Sequence, residues 1–226
     1  MRLYIDSANI ESIKMLNDYF PIAGVTTNPS ILVKEEKPYL DTLKEIRAII
    51  GTDKELFVQA IGDRAEEIVE EARFISQQIS GNVIVKVPVT EEGIKAIKLL
   101  AAENIPTLAT TVYTAFQALM AAMAGAKYVA PYVNRIDNLA GNGVKVVTEI
   151  AQLFKTYELG CEILAASFKN LQQVFEVCLA GAETVTVSPD IIEKMIAFPS
   201  TGTDVATFKQ QWQDFYGEKA TTLINT

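Results

Sequence analysis

An α/β fold closed as a (β/α)8 barrel, followed by one extra C-terminal helix, is predicted by three features of the sequence. Short apolar runs alternate with amphipathic helical stretches from end to end. Roughly eight such units occur, and strands alternating with helices imply parallel crossovers, which at this number close into a barrel. The 226 residues, 49% of them hydrophobic, hold no Pro/Gly/Ser-rich linker or low-complexity tract and so suit one sizeable core. A doubly wound open sheet is the alternative that the pattern alone leaves open.

In chain order the strand segments are Arg2–Asp6, Gly24–Thr27, Leu56–Ile61, Val83–Val87, Thr107–Thr110, Tyr128–Val133, Glu162–Ala166 and Thr184–Val187. The intervening stretches have helical period. In "DRAEEIVEEARFISQQI", Ala65, Ile68, Val69, Ala72 and Ile75 form one apolar stripe with acids opposite. Asp63 followed by Glu66 resembles a capping box, and Ser188-Pro189 offers an N-cap residue followed by proline at the first helical position. Past Pro199, "TGTDVATFKQQWQDFYG" sets Phe208, Trp212, Phe215 and Tyr216 on one helical face. The barrel is complete by then, so this stripe is expected to dock either on the barrel or, the favoured reading, on a neighbouring subunit. The expected organisation is a single barrel domain over 1–226, with 200–226 as a C-terminal helix and tail.

Composition removes several functions. A net charge of −8 disfavours nucleic-acid or anionic-membrane surfaces, which want clustered Lys and Arg. The opening "MRLYIDSANI" is too short in its apolar part for a signal peptide, and no run approaches a membrane span, so a soluble cytoplasmic protein is expected. Cys161 and Cys178 lie in apolar surroundings without metal or redox spacing and read as reduced core thiols. There is no histidine, which excludes Ser-His and Cys-His pairs, HExxH zinc sites and imidazole base catalysis. No Walker motif occurs, and the "GNG" at Gly141–Gly143 reads as a turn. Chemistry, if present, falls to Lys, Asp/Glu, Tyr and backbone dipoles.

Barrel chemistry sits at the C-terminal ends of the strands. Those ends carry Asp6; Thr26, Thr27 and Asn28; Gln59; Lys86; Thr110; Tyr132, Asn134 and Arg135; Ser167 and Lys169. Lys86 is the most informative, because "VIVKVPVT" places a lysine inside a β-branched apolar run. Alternation sets Val83, Val85 and Val87 on one face and Ile84 and Lys86 on the other, and Pro88 cannot donate to a central ladder. The lysine therefore lies near the C-terminal mouth. A free lysine titrates near ~10.4, so only about one in 2,500 is neutral at pH 7; desolvation raises that fraction and permits Schiff-base attack on a carbonyl. A buried pair with Asp6, or a lysine snorkelling out of the mouth, is the structural alternative. Asp6 suits proton transfer or helix capping, Tyr132 the orientation of water, and Arg135 with Ser167 an anionic group or, respectively, a loop ion pair and a helix cap.

Taken together, "YID", "GVTTNPS", "VKVPVT", "IPTLATTVY", "APYVNRID" and "AASFKN" resemble the transaldolase family, nearest to its small fructose-6-phosphate aldolase branch. The resemblance spans essentially the whole chain. It implies a (β/α)8 barrel, a Schiff-base lysine on the fourth strand, no metal or other cofactor, sugar or sugar-phosphate substrates, and five-membered rings stacked as decamers, the C-terminal helix reaching a neighbour. It implies that Lys86 is the Schiff-base residue, Asp6 the proton-transfer acid, and Gln59 and Thr110 the holders of a catalytic water. Thr26 and Asn28 would contact substrate hydroxyls, and Arg135 with Ser167 the phosphate. Transaldolases typically carry Glu in place of Gln59 and Phe in place of Tyr132, and long ones carry Ser in place of Ala130. All three positions side with the aldolase. A transaldolase, or a catalytically silent sugar-phosphate-binding barrel, are the other readings.

Overall fold

The computed structural model describes residues 1–217 and 221–222. Eight parallel strands close in sequence order: β1 (Arg2–Asp6), β2 (Ile22–Thr26), β3 (Glu55–Gln59), β4 (Val83–Pro88), β5 (Thr107–Val112), β6 (Tyr128–Pro131), β7 (Glu162–Ala165) and β8 (Thr184–Val187), with β8 pairing back to β1. The connections carry α1 (Ile10–Tyr19), α2 (Pro29–Val33), α3 (Tyr39–Ile50), α4 (Ala65–Gln78) and α5 (Glu91–Ala102). They continue with α6 (Ala115–Met123), α7 (Val133–Asn138), α8 (Gly143–Thr156) and α9 (Leu171–Leu179), and β8 is followed by α10 (Pro189–Lys194) and α11 (Pro199–Tyr216). This is the expected TIM-type barrel, and the open-sheet alternative is excluded by the β1–β8 pairing.

Contacts divide the chain into two compact units, Met1–Ile191 with the barrel and Ile192–Thr226 with α11. Along α11, Phe208, Phe215 and Tyr216 are exposed, and the Trp212 and Tyr216 rings lie 4.5 Å apart. The expected tail beyond that helix falls mostly on 218–220 and 223–226, outside the described residues. Among the described residues no helix is long and apolar enough to cross a membrane.

The stripe expected on α4 is the one that is buried: Ala65, Ile68, Val69, Ala72 and Ile75. Its cap sits one residue later than expected. Glu67, not Glu66, reaches back to the backbone N–H groups of Asp63 and Arg64, both at 3.1 Å, while Glu66 pairs with Lys95. The "GNG" is the turn expected, with Asn142 capping α8. Both cysteines are free, and burial pushes the Cys161 thiol up to about 12, so it stays protonated.

The ends of β2, β4 and β7 differ from expectation by one residue, and three others differ by two. β3 stops at Gln59 rather than Ile61, because the Ile61 and Gly62 amides turn to the Glu71 carboxylate. β6 stops at Pro131; Tyr132 keeps one isolated bridge to Ala166 and then opens α7, so Asn134 and Arg135 ride a short helix. β5 runs on to Val112 through an irregularity between Ala109 and Val112, where Thr111 adopts a φ of 59°. A β-branched residue in that left-handed region is strained, and such bulges concentrate beside active sites.

Inside the barrel Tyr4, Phe57, Ile84, Leu108, Tyr128 and Leu164 fill the core, with Phe57 edge-on to Tyr4 and Tyr128 at 5.3 and 5.4 Å. Beneath them lies a buried charge. Glu55 accepts from Tyr4 (2.5 Å), from Tyr128 (3.0 Å) and from Lys127 (2.7 Å). Burial alone would raise its pKa, yet the bonds from Lys127, Tyr4 and Tyr128 hold it below the ordinary carboxylate value. Gly24 lets β2 pass this point, since a Cβ there would stand 2.0 Å from the Glu55 carbonyl oxygen.

Candidate active site

Lys86 inherits its direction from the pleat. Ile84, two residues earlier, belongs to the barrel's interior cluster, so Lys86 faces inward one step nearer the mouth. Two contacts hold the end of this strand: the Val89 amide donates to the Thr110 carbonyl at 3.0 Å, and α5 approaches Pro88 so closely that a Cβ on Gly93 would lie 1.9 Å from its oxygen. Lys86 is only 6% exposed, and its Nζ donates to the Thr27 carbonyl at 2.7 Å. Its hydrogen-bond partner is thus an uncharged acceptor, equally served by a neutral amine. Burial drives the pKa of Lys86 below the ordinary lysine value, with the charge on Asp6 opposing.

Asp6 ends β1 and leaves helix capping to Asn9, whose Oδ1 accepts from the Ser12 amide at 3.0 Å. Its carboxylate instead accepts from Thr26 Oγ1 at 2.7 Å, and that hydroxyl lies 2.6 Å from Thr186 Oγ1. Burial leaves the pKa of Asp6 above the ordinary aspartate value, with Lys86, the Thr26 bond and Arg135 opposing. Asn28 has two duties. Its Oδ1 caps α2 by accepting from the Ile31 amide at 3.0 Å, which leaves its NH2 group as the donor available to the cavity.

Across the mouth, Thr110 Oγ1 and the Tyr132 hydroxyl are 2.7 Å apart. The Arg135 guanidinium stands over the Tyr132 ring, 4.7 Å from its centroid. Ser167 takes a φ of 61°, and its carbonyl accepts from the Asn134 amide at 2.7 Å. It is not the cap of α9, a role filled by Asn170.

These groups line one cavity of about 240 Å³ that opens at the C-terminal ends of the strands. Asp6, Thr26, Asn28, Lys86, Thr110, Tyr132, Arg135 and Ser167 all border it, and Thr27, Asn134 and Lys169 do not. Gln59 is level with Lys86 in the β3–β4 register but borders a neighbouring apolar cavity of about 330 Å³, with Leu32, Val58, Phe74 and Ile75. The sequence did not single out Ser30, Ile31, Leu108, Leu164, Ala166 and Thr186, and it marked Ala130 only as a position that separates the two branches. Leu108 shares the inward phase of Thr110 on β5, and Ala130 that of Tyr132 just past the end of β6. Thr186 carried a weaker signal, a hydroxyl on the inward phase of "TVTV" where barrels usually place aliphatic side chains.

A nearly dry amine, a carboxylate beside it, a hydroxyl pair and a guanidinium converge here. Such a set can form an imine, move protons and hold an anion. A family profile described as Transaldolase/Fructose-6-phosphate aldolase matches residues 3–225, the whole barrel and its C-terminal extension. The chain therefore belongs to the transaldolase/fructose-6-phosphate aldolase family.

Proposed function

We propose that the chain is a cofactor-free class I aldolase that reversibly cleaves fructose 6-phosphate to dihydroxyacetone and glyceraldehyde 3-phosphate. The observation that carries this reading is Lys86 itself, buried in the cavity wall with its nitrogen on an uncharged carbonyl and its pKa depressed by burial. The neutral amine adds to the C2 carbonyl to give a carbinolamine, which loses water to an iminium. Asp6 takes the proton from the C4 hydroxyl as the C3–C4 bond breaks; its electron pair flows to the iminium nitrogen, leaving an enamine and the free aldehyde. A water held by Thr110 and Tyr132 protonates the enamine at C3, and hydrolysis releases dihydroxyacetone. Gln59, level with Lys86 but outside the cavity lining, is the third group proposed for that water. Thr26 and Asn28 hold substrate hydroxyls, and Arg135 with Ser167 receives the phosphate.

Tyr132 supports the aldolase over the transaldolase, because its hydroxyl at 2.7 Å from Thr110 supplies a polar seat for the protonating water. The test supplies dihydroxyacetone and glyceraldehyde 3-phosphate alone. Fructose 6-phosphate forms without any ketose donor if the aldolase reading is right; product only when a ketose donor is added makes the chain a transaldolase. Trapping with borohydride and dihydroxyacetone, followed by peptide mapping, places the adduct on Lys86. Its rate against pH has a midpoint below the ~10.4 of a free lysine, and a midpoint at that ordinary value contradicts the desolvated amine.

Arg135→Met separates phosphate recognition from chemistry. A hydrogen bond to a charged group contributes about 1.5–3 kcal/mol, so KM for glyceraldehyde 3-phosphate rises roughly 10- to 100-fold. KM for unphosphorylated glyceraldehyde stays within about threefold. Equal losses on both aldehydes would remove Arg135 from the phosphate site. Assembly into rings is part of the same reading, supported by the aromatic residues exposed on α11, and sedimentation measures it.

A further inference from the structure

Thr186 does not take part in the proposed reaction, yet its hydroxyl is buried at 3% exposure inside the catalytic cavity. Valine has nearly the same shape and is an ordinary barrel-interior residue, so the hydroxyl calls for a partner. That partner is Thr26 Oγ1 at 2.6 Å, which in turn lies 2.7 Å from Asp6 Oδ1. Distance alone leaves the donor between the two threonines open, but proton counting does not. A hydroxyl has one hydrogen. When Asp6 is ionised it can only accept, so Thr26 spends its hydrogen on Asp6 and Thr186 must donate to Thr26. The chain then runs in one direction, Thr186 to Thr26 to Asp6, each bond polarising the next toward the carboxylate. Reversed, with protonated Asp6 donating to Thr26 and Thr26 to Thr186, it leaves the Thr186 hydrogen without its partner. Reversal is therefore the poorer arrangement.

We propose that Thr186 is a positioning residue for Asp6: by donating to Thr26 it commits the Thr26 hydrogen to the Asp6 carboxylate and keeps that group a proton acceptor. The proposal rests on the reading of Asp6 as the proton-transfer acid. Burial works against an ionised Asp6, and the charged groups facing it, Lys86 from β4 and Arg135 from α7, favour ionisation, as does the Thr26 bond from β2. From β8 the facing group is the Thr186 hydroxyl, and Tyr132 at the end of β6 completes the polar lining. Thr186 thus acts in the same direction as these groups without adding charge.

The test reads Asp6 directly. The protein is labelled with carbon-13 at the aspartate carboxyl, the Asp6 signal is assigned by its loss in Asp6→Asn, and wild type, Thr186→Val and Thr186→Ser are titrated. The expected result is an upward move of the Asp6 midpoint by about half a pH unit in Thr186→Val, with Thr186→Ser, which keeps the hydroxyl, at the wild-type value. The acid limb of kcat/KM for fructose 6-phosphate cleavage moves with it. A Thr186→Val midpoint within ~0.2 unit of wild type, or a serine variant that shifts as far as valine, overturns the proposal. Failure of the aldolase reading is distinguishable, because it appears as no Lys86 adduct in wild type while the Asp6 titration still reports on Thr186.

Discussion

Lys86→Met loses activity and gains stability. With the proposed nucleophile gone, the borohydride-trapped adduct disappears and cleavage falls on the order of 10⁴-fold or more, since Asp6 and the proposed anion site have no covalent intermediate to act on. The same change removes a desolvated amine from the barrel wall and substitutes an aliphatic chain of similar length. At neutral pH the unfolded chain protonates Lys86 more readily than the folded one does, because burial depresses the folded pKa. That difference penalises folding fully below the folded pKa and disappears as pH rises to the unfolded value near ~10.4. Methionine abolishes it, against the lost bond to the Thr27 carbonyl. The expected net gain is about 1 kcal/mol, or ~2–4 °C in Tm for a domain of this size. The gain should shrink as the melting experiment is moved toward pH 10. A variant that is inactive and also less stable at pH 7 would contradict the picture of a lysine held against its own solvation.

Glu55→Ala has the opposite signature, a large loss of stability without loss of chemistry. Glu55 is 8% exposed and is the shared acceptor for Tyr4, Tyr128 and Lys127 at the closed end of the barrel. Truncation leaves those donors facing a cavity, and removing one member of a buried charged cluster costs about 3–5 kcal/mol. The thermal midpoint should fall by on the order of 10 °C. The pH dependence follows from the sign of the shift. The folded pKa of Glu55 lies below its unfolded value, so its contribution is complete above about pH 4.3 and is lost as pH falls through the folded value. Wild type and variant therefore converge in stability under acid. Borohydride trapping on Lys86, per folded molecule and below the variant's melting range, stays at the wild-type level, because the carboxylate sits at the far end of the core. An unchanged urea midpoint at pH 7 would mean that the cluster is no more than a surface ion pair.

The barrel was legible because its signal is periodic and repeated. Each strand is a short β-branched run, and α4 buries the very residues its spacing selects. The polar part of the cavity was legible for a related reason: of the polar residues read at the strand ends, Asp6, Lys86, Thr110 and Tyr132 border it, whereas Thr27, Asn134 and Lys169 do not. What was not legible lies where backbone geometry departs from repetition. The bulge at Thr111 has no marker such as glycine, so β5 reads as ending at Thr110. The capping box was misplaced by one residue because "AEEIVEE" offers adjacent glutamates, and a tertiary partner, Lys95, claims the first. Likewise, "YVAPYV" reads as strand through Val133, while the Tyr132 φ and ψ of −93° and 82° already turn the chain out of the sheet. The neighbouring cavity beside Gln59 depends on how α2, α3 and α4 pack against β3, which one sequence does not reveal.

The 2.7 Å bond from Lys86 to the Thr27 carbonyl has a consequence for the electronic state of the bound intermediate. In the proposed cycle the free amine, the carbinolamine, the iminium and the enamine all keep at least one N–H on the lysine nitrogen. The neutral imine keeps none. A fixed acceptor aimed at that nitrogen therefore discriminates against one species alone, the poor electron sink. Thr27 contributes only its backbone to this, so no side-chain substitution at that position can remove it. In that cycle the electrophile is kept charged by main chain just past the end of β2, which is separated from β4 by β3.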